Sequence, residues 1–270
     1  MRSRRRRSEQ PRSVSHVSIT HENKVAIVTG ASRGIGLAIA RRLVADGARV
    51  VITARGPEAL AEAVEVLGGP SRALAFAGHA DDPEHQGEVV SAALDTFGRI
   101  DFLVNNAGIN PSYGPMLETD IDEARKILEV NVLSAFSWTQ KVVKAGLGTT
   151  EAPGGAIVNV ASIAGMAATG LLGWYAVSKA ALIHLTTELG YQLGPDVRVN
   201  AVAPGVVKTV FAEALYEGRE EKIVKRYPLK RLGVPEDISG TVSFLLSGDA
   251  SWMTGRTLVI DGGALLAGPM

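Results

Sequence analysis

From Lys24 onward, short apolar runs alternate with stretches of helical periodicity, and this alternation limits the possible folds more than any other property of the chain. The strand candidates are Val25–Thr29, Arg49–Thr53, Ala73–Ala77, Phe102–Asn105, Ala156–Ala161, Val197–Val202 and Thr257–Ile260. Between them lie helical patterns near Gly36–Asp46, Pro57–Leu67, Pro83–Phe97, Asp122–Ala145, Trp174–Gly190 and Glu236–Leu246. Strands that are apolar on both faces must be covered on both faces, as in a parallel sheet between two helical layers. Short loops and right-handed crossovers then give one α/β domain, doubly wound, with a seven-stranded parallel sheet flanked by helices.

The chain has 270 residues, 46% hydrophobic and 21% charged, within reach of one large domain over residues 23–270. Residues 1–22 carry six arginines against Glu9 and Glu22, and they read as a flexible basic leader. They lack the apolar stretch of a secretory signal, and no apolar run is long enough to span a bilayer, so a cytoplasmic protein is expected, with no membrane partner. The leader's charge leaves a slightly acidic body, which argues against nucleic acid as a partner. The absence of cysteine removes disulfides and thiolate chemistry. His16, His21, His79, His85 and His184 show no ligand spacing, so no catalytic metal is expected. The irregular stretch from Pro204 to about Gly233 is the candidate lid over the strand ends.

Directly after the first strand comes Thr29-Gly30-Ala31-Ser32-Arg33-Gly34-Ile35-Gly36, a glycine-rich turn opening a helix. Gly30 permits the tight turn, Gly34 a close approach of the ligand, and Gly36 close packing of helix on strand. Free N–H groups at the helix start, Ile35 and Gly36 included, suit a pyrophosphate, so the fold is of the Rossmann type. One strand on, Ala54 stands where a carboxylate would grip the ribose 2′-hydroxyl of NAD. Arg55 and Arg33 instead bring two guanidinium groups to the place of a 2′-phosphate, which points to NADP(H) as cofactor.

Tyr175 and Lys179 are separated by one helical turn in Gly173-Trp174-Tyr175-Ala176-Val177-Ser178-Lys179, so they share a face. An ammonium beside a phenol favours the phenolate and is expected to lower the tyrosine's pKa from about 10. Such a pair suits proton transfer in a carbonyl–alcohol interconversion. Alone it is weak evidence, since helical Tyr–Lys pairs are common on protein surfaces.

With these motifs in order, joined by Asn105-Asn106-Ala107-Gly108, Asn131, Ser162 and Pro204-Gly205, the chain resembles the short-chain dehydrogenase/reductases from about Lys24 to Gly263. The resemblance implies that Tyr175 is the proton donor, that Lys179 acidifies it and holds the nicotinamide ribose, and that Ser162 donates to the substrate oxygen. It implies that Asn131 holds a water linking Lys179 to solvent. Gly30, Ser32, Arg33, Gly34, Ile35, Gly36, Arg55, Ala80, Asn106, Ala107, Gly108, Pro204, Gly205, Val207 and Thr209 are the implied cofactor contacts, with Tyr175 and Lys179. His79 stands where many relatives carry an acid beside the adenine. The adenine is then either without a side-chain partner here or held by the backbone or by Ala80. Substrate walls are expected from Ile109, Tyr113, Ser162, Ile163, Met166, Leu172, Trp174, Tyr175 and Phe211, mostly apolar.

The three-residue gap between Tyr175 and Lys179 resembles carbonyl reductases and alcohol dehydrogenases; the enoyl reductases of the family carry a wider one. The implied reaction is reduction of a ketone or aldehyde, either a 3-oxoacyl thioester on a carrier protein or another hydrophobic carbonyl, by NADPH in a homotetramer. Oxidation of an alcohol is the same chemistry reversed. A non-catalytic dinucleotide sensor would have shed the catalytic set, yet Ser162, Tyr175 and Lys179 are all present.

Overall fold

The computed structural model describes residues 19–149 and 152–267. Seven parallel strands form one sheet: β1 (Val25–Thr29), β2 (Arg49–Ala54), β3 (Ala73–Ala77), β4 (Phe102–Asn105), β5 (Gly155–Val160), β6 (Val197–Pro204) and β7 (Thr257–Ile260). Their order is β3-β2-β1-β4-β5-β6-β7, as expected of a doubly wound sheet. The chain winds outward through β2 and β3, then returns to place β4 on the other side of β1. At that reversal the loops after β1 and β4 diverge and open a crevice at the C-terminal edge. Thr29 and Asn106 hold the two sides in register: the Asn106 and Ala107 N–H groups donate to Thr29 Oγ1, both at 3.0 Å.

The two-residue period of a strand sorts its side chains between the helical layers. Val50 and Ile52 pack with Ile39, Leu43, Val242 and Leu245, whereas Val51 and Ile27 pack on the other face with Leu103, Trp138 and Val142. The first layer holds α1 (Gly34–Ala45), α2 (Pro57–Val66) and α9 (Pro235–Leu246). The second holds α3 (Pro83–Phe97), α4 (Ile121–Leu128), α5 (Ser134–Lys144) and α6 (Gly173–Gln192).

Three features depart from the sequence reading. The helix expected over Asp122–Ala145 is broken by one π-helical turn, Glu129–Leu133, between α4 and α5. The basic leader lies outside the described residues up to residue 18, but its last residues join the body. His21 is 2% exposed, accepts or donates a bond with Ser243 Oγ at 3.0 Å, and sits edge-on to Phe102. The stretch after β6 is less irregular than its composition suggests, since it contains α7 (Glu213–Tyr216) and α8 (Glu220–Val224). Its two ends are tied together: Lys208 N donates to Gly233 O at 2.9 Å and Gly233 N to Val206 O at 3.0 Å.

Candidate active site

A cleft of about 920 Å³ runs along the C-terminal edge of the sheet, from the loop after β1 to the segment after β6. At one end lies the glycine-rich turn. Gly30 has φ +63°, which glycine adopts without strain, and a Cβ on Gly36 would fall 2.4 Å from Gly30 O. The turn therefore closes onto the helix only with hydrogen at position 36. No side chain caps the start of α1, so its first N–H groups are left to face the cleft. Uncapped donors at a helix N-terminus, in a cradle that a Cβ would fill, fit a pyrophosphate. Arg33 and Arg55 line the cleft here; both are exposed, and neither pairs with a carboxylate among the described residues. His79 lies exposed at the rim, while the Ala80 carbonyl accepts from Gln86 Nε2, Ser134 Oγ and Trp138 Nε1 at 2.8–2.9 Å. Those three bonds fix the backbone on which the adenine end of a dinucleotide would rest.

At the other end, Ser162, Tyr175 and Lys179 converge. β5 ends just before Ser162, whose Oγ accepts from Ala164 N at 3.1 Å and so turns the chain into a short 3₁₀ segment. That segment reaches α6 only because residue 165 is glycine: a Cβ there would meet Ala180 N at 2.6 Å. The close approach brings Ser162 near Tyr175, where its hydroxyl favours the ionised phenol. Lys179 is 4% exposed; its Nζ donates to Val160 O at 2.9 Å and lies 5.6 Å from the centre of the Tyr175 ring.

The electrostatics differ from the sequence expectation. Burial pushes the Tyr175 phenol up to about 12, a rise that the hydrogen bond from Ser162 offsets only in part and that nearby Tyr113 increases. Tyr175 is partly exposed, and its ring lines the cleft. Burial likewise pushes Lys179 down to about 8. Lowering of the phenol by its cationic neighbour is thus not what this arrangement produces. The low-dielectric surroundings disfavour both charged forms, and that effect exceeds the attraction of the pair.

The expected cofactor contacts, Gly30, Ser32, Arg33, Gly34, Ile35, Gly36, Arg55, Ala80, Asn106, Ala107, Gly108, Pro204, Gly205, Val207 and Thr209, all line this one cleft. So do the expected substrate walls Ile109, Tyr113, Ile163, Leu172 and Phe211. Met166 and Trp174 do not. Met166 is 44% exposed at the turn after the 3₁₀ segment, and Trp174, next to Tyr175 on a helix, is rotated to another face. Asn131 stands behind the lining, where the π-turn carries it to the β4 loop. Its Oδ1 accepts from Ile109 N at 2.8 Å and its Nδ2 donates to Ile109 O at 3.0 Å. Lining residues that the sequence did not single out include Asp81 and Lys126, which form an ion pair beside Ala80. They lie 45 residues apart, and no local pattern joins them.

A family model described as Enoyl-(Acyl carrier protein) reductase matches residues 30–264. Among curated proteins, the chain is 44% identical over 248 residues to a "Dehydrogenase/reductase SDR family member 4" of Oryctolagus cuniculus, covering 90% of this chain and 94% of that protein. It is 41% identical over 250 residues to the protein of the same name in Caenorhabditis elegans, covering 90% and 95%. Among solved structures, a short-chain dehydrogenase/reductase described as a glucose/ribitol dehydrogenase of Brucella melitensis superposes with TM-score 0.84 at 32% identity, over 90% of this chain and 97% of that one. A putative short-chain alcohol dehydrogenase of Sinorhizobium meliloti gives TM-score 0.84 at 35% identity, over 92% and 98%.

Proposed function

Because the chain belongs to the short-chain dehydrogenase/reductase family, whose members use nicotinamide dinucleotides, we propose that it reduces a hydrophobic ketone or aldehyde to the alcohol with NADPH. The observation that carries this reading is one cleft with Ser162, Tyr175 and Lys179 at one end and, at the other, the guanidinium groups of Arg33 and Arg55, which pair with no carboxylate among the described residues. The glycine cradle and the α1 N-terminus would hold the pyrophosphate, Arg33 and Arg55 the 2′-phosphate, and Lys179 the ribose of the nicotinamide half. When bound, the cofactor supplies the hydride.

The protein's own groups manage the charge that develops on the carbonyl oxygen. The Ser162 hydroxyl donates to that oxygen and polarises it. Tyr175 then releases its proton to it as the alkoxide forms. A phenol pushed up to about 12 is protonated throughout the neutral range, so its proton is in place when charge develops on the carbonyl oxygen. Ile109, Ile163, Leu172 and Phe211 exclude water and select an apolar substrate.

A free carbonyl compound is favoured over a carrier-bound thioester. Three of the lid's basic residues, which would receive an acidic carrier protein, are engaged locally. Lys208 pairs with Glu220 at 2.5 Å, Arg231 with Asp237, and Lys230 Nζ with the Lys225 carbonyl at 2.9 Å. The enoyl reduction in the family model's description belongs to that model, and the three-residue gap between Tyr175 and Lys179 supports carbonyl chemistry here. A homotetramer is part of the same reading, supported by the bare surfaces of Trp252, Tyr191 and Leu266. Light scattering that reports a monomer at micromolar concentration would count against the assembly.

The deciding experiment follows NADPH absorbance with a panel of apolar ketones, aldehydes and 3-oxoacyl thioesters, for wild type and Tyr175→Phe. The substitution removes one hydroxyl and little volume. Turnover is expected to fall by about 10²-fold or more with NADPH affinity retained. Equal turnover in the two proteins would refute the assignment.

A further inference from the structure

Ser178 lies one residue before Lys179 on α6, is fully buried, and does not line the cleft. Its hydroxyl is used twice. It donates to the Tyr175 carbonyl at 2.7 Å and accepts from Asn131 Nδ2 at 2.9 Å. Asn131 in turn holds both backbone groups of Ile109. An unbroken chain of hydrogen bonds thus runs from the β4 loop, through the π-turn, to the helical turn that bears Tyr175. The amide oxygen at its centre and the Lys179 ammonium flank the same glycine: a Cβ on Gly108 would lie 3.3 Å from Asn131 Oδ1 and 3.4 Å from Lys179 Nζ. The titratable group facing Lys179 is Tyr175, and among the described residues no carboxylate offsets its charge.

From this geometry we propose that Ser178 is a positioning residue for the reaction, acting through Asn131 on Lys179 and through the backbone on Tyr175. A serine inside a helix is a poorer helix former than alanine, and bonding back to the preceding turn adds no helix stability. Its use here is the acceptor it offers Asn131. Asn131 is 1% exposed, so removal of that acceptor leaves a buried N–H unpaired. The amide then relaxes, and its oxygen shifts relative to the ammonium across Gly108. The inference rests on the reductase reading for its kinetic consequences, but not for its structural ones.

The test compares wild type, Ser178→Ala, Asn131→Ala and the double variant. Ser178→Ala is expected to lower kcat by about 10-fold, as for a misplaced catalytic group, with KM and NADPH affinity little changed. The high-pH limb of kcat, expected near the Lys179 value of about 8, should move to lower pH. The sign follows from the missing acceptor dipole, whose absence disfavours the ammonium. In the Asn131→Ala background the serine change should lower kcat no further. Hydrogen exchange, read by mass spectrometry on peptides spanning Ile109, should quicken in Ser178→Ala. A fall in thermal midpoint with the pH profile and Ile109 exchange both unchanged would overturn the proposal, as would additive effects in the double variant. Should Ser178→Ala fail to fold, Ser178→Cys weakens both bonds at similar volume and is judged by the same criteria. A wild type that reduces no carbonyl compound would sink the reductase reading, and the exchange measurement alone would then decide this one.

Discussion

Two side chains at the cleft, Arg33 and Arg55, carry the proposed preference for NADPH. Neither pairs with a carboxylate among the described residues, and Ala54 supplies no carboxylate that would repel a phosphate. Replacing both with alanine is expected to weaken NADPH binding by about 10- to 100-fold, the worth of one or two charge-assisted hydrogen bonds. NADH binding should change little, and titration of both nucleotides by fluorescence reads the difference. A wild type that prefers NADH would overturn the assignment. These arginines were legible from sequence because their place relative to a strand end is set by topology. The direction of the Tyr175 shift was not. Sequence separation shows that an ammonium is near a phenol, but only burial reveals that both charges stand in a poor solvent. Ser178 was missed for a related reason: a lone helical serine carries no signal until its neighbour across the fold is known.

Among the elements, the strands were the most legible, because apolar runs buried on both faces have few other uses. Their ends differ by only a residue or two from those expected. The π-turn was invisible: nothing in Glu129-Val130-Asn131-Val132-Leu133 departs from ordinary helical periodicity, and the Ile109 backbone that Asn131 reaches from it is distant in sequence. The end of α9 is a second feature decided from afar. Arg198, on β6, donates to the carbonyls of Leu245, Leu246, Ser247 and Ala250, closing the helix and the turn beyond it. A cation at a helix C-terminus meets both the unpaired carbonyls and the negative end of the helix dipole. Arg198→Met keeps the apolar stem and removes the donors. It is expected to cost about 2 kcal/mol or more, read as a lower denaturant midpoint with unchanged slope.

The molecule as a whole is closed by residues near its N-terminus. His21 joins three elements at once: Ser243 on α9, Phe102 on β4, and, through its backbone N–H, the Asp46 carbonyl after α1. Ser243 also donates to Asp46 Oδ2, which Arg42 grips. Burial holds the His21 pKa below its usual value, against the pull of Asp46 and with smaller contributions from Arg42 and Lys24. His85, buried beside Thr53, is lowered for the same reason. Near pH 6.5 the unfolded chain therefore binds more protons than the folded one, and stability rises with pH through this window. Acidification from pH 7 towards the lowered values should reduce the thermal midpoint, and His21→Gln should flatten that fall while His85 retains its share. A midpoint independent of pH between 7 and 5 would refute this.

Local sequence was enough to specify the sheet, its helical cover, the glycine-rich turn and the ordered family motifs, because each depends on neighbours within one strand or one helical turn. Burial and long-range pairing settled the rest: the elevated phenol, the depressed lysine, the π-turn under Asn131, the Ser178 link and the docking of His21. Those properties are energies of transfer from water and of contacts across tens to hundreds of residues. They take a value only once the chain has closed around the groups concerned.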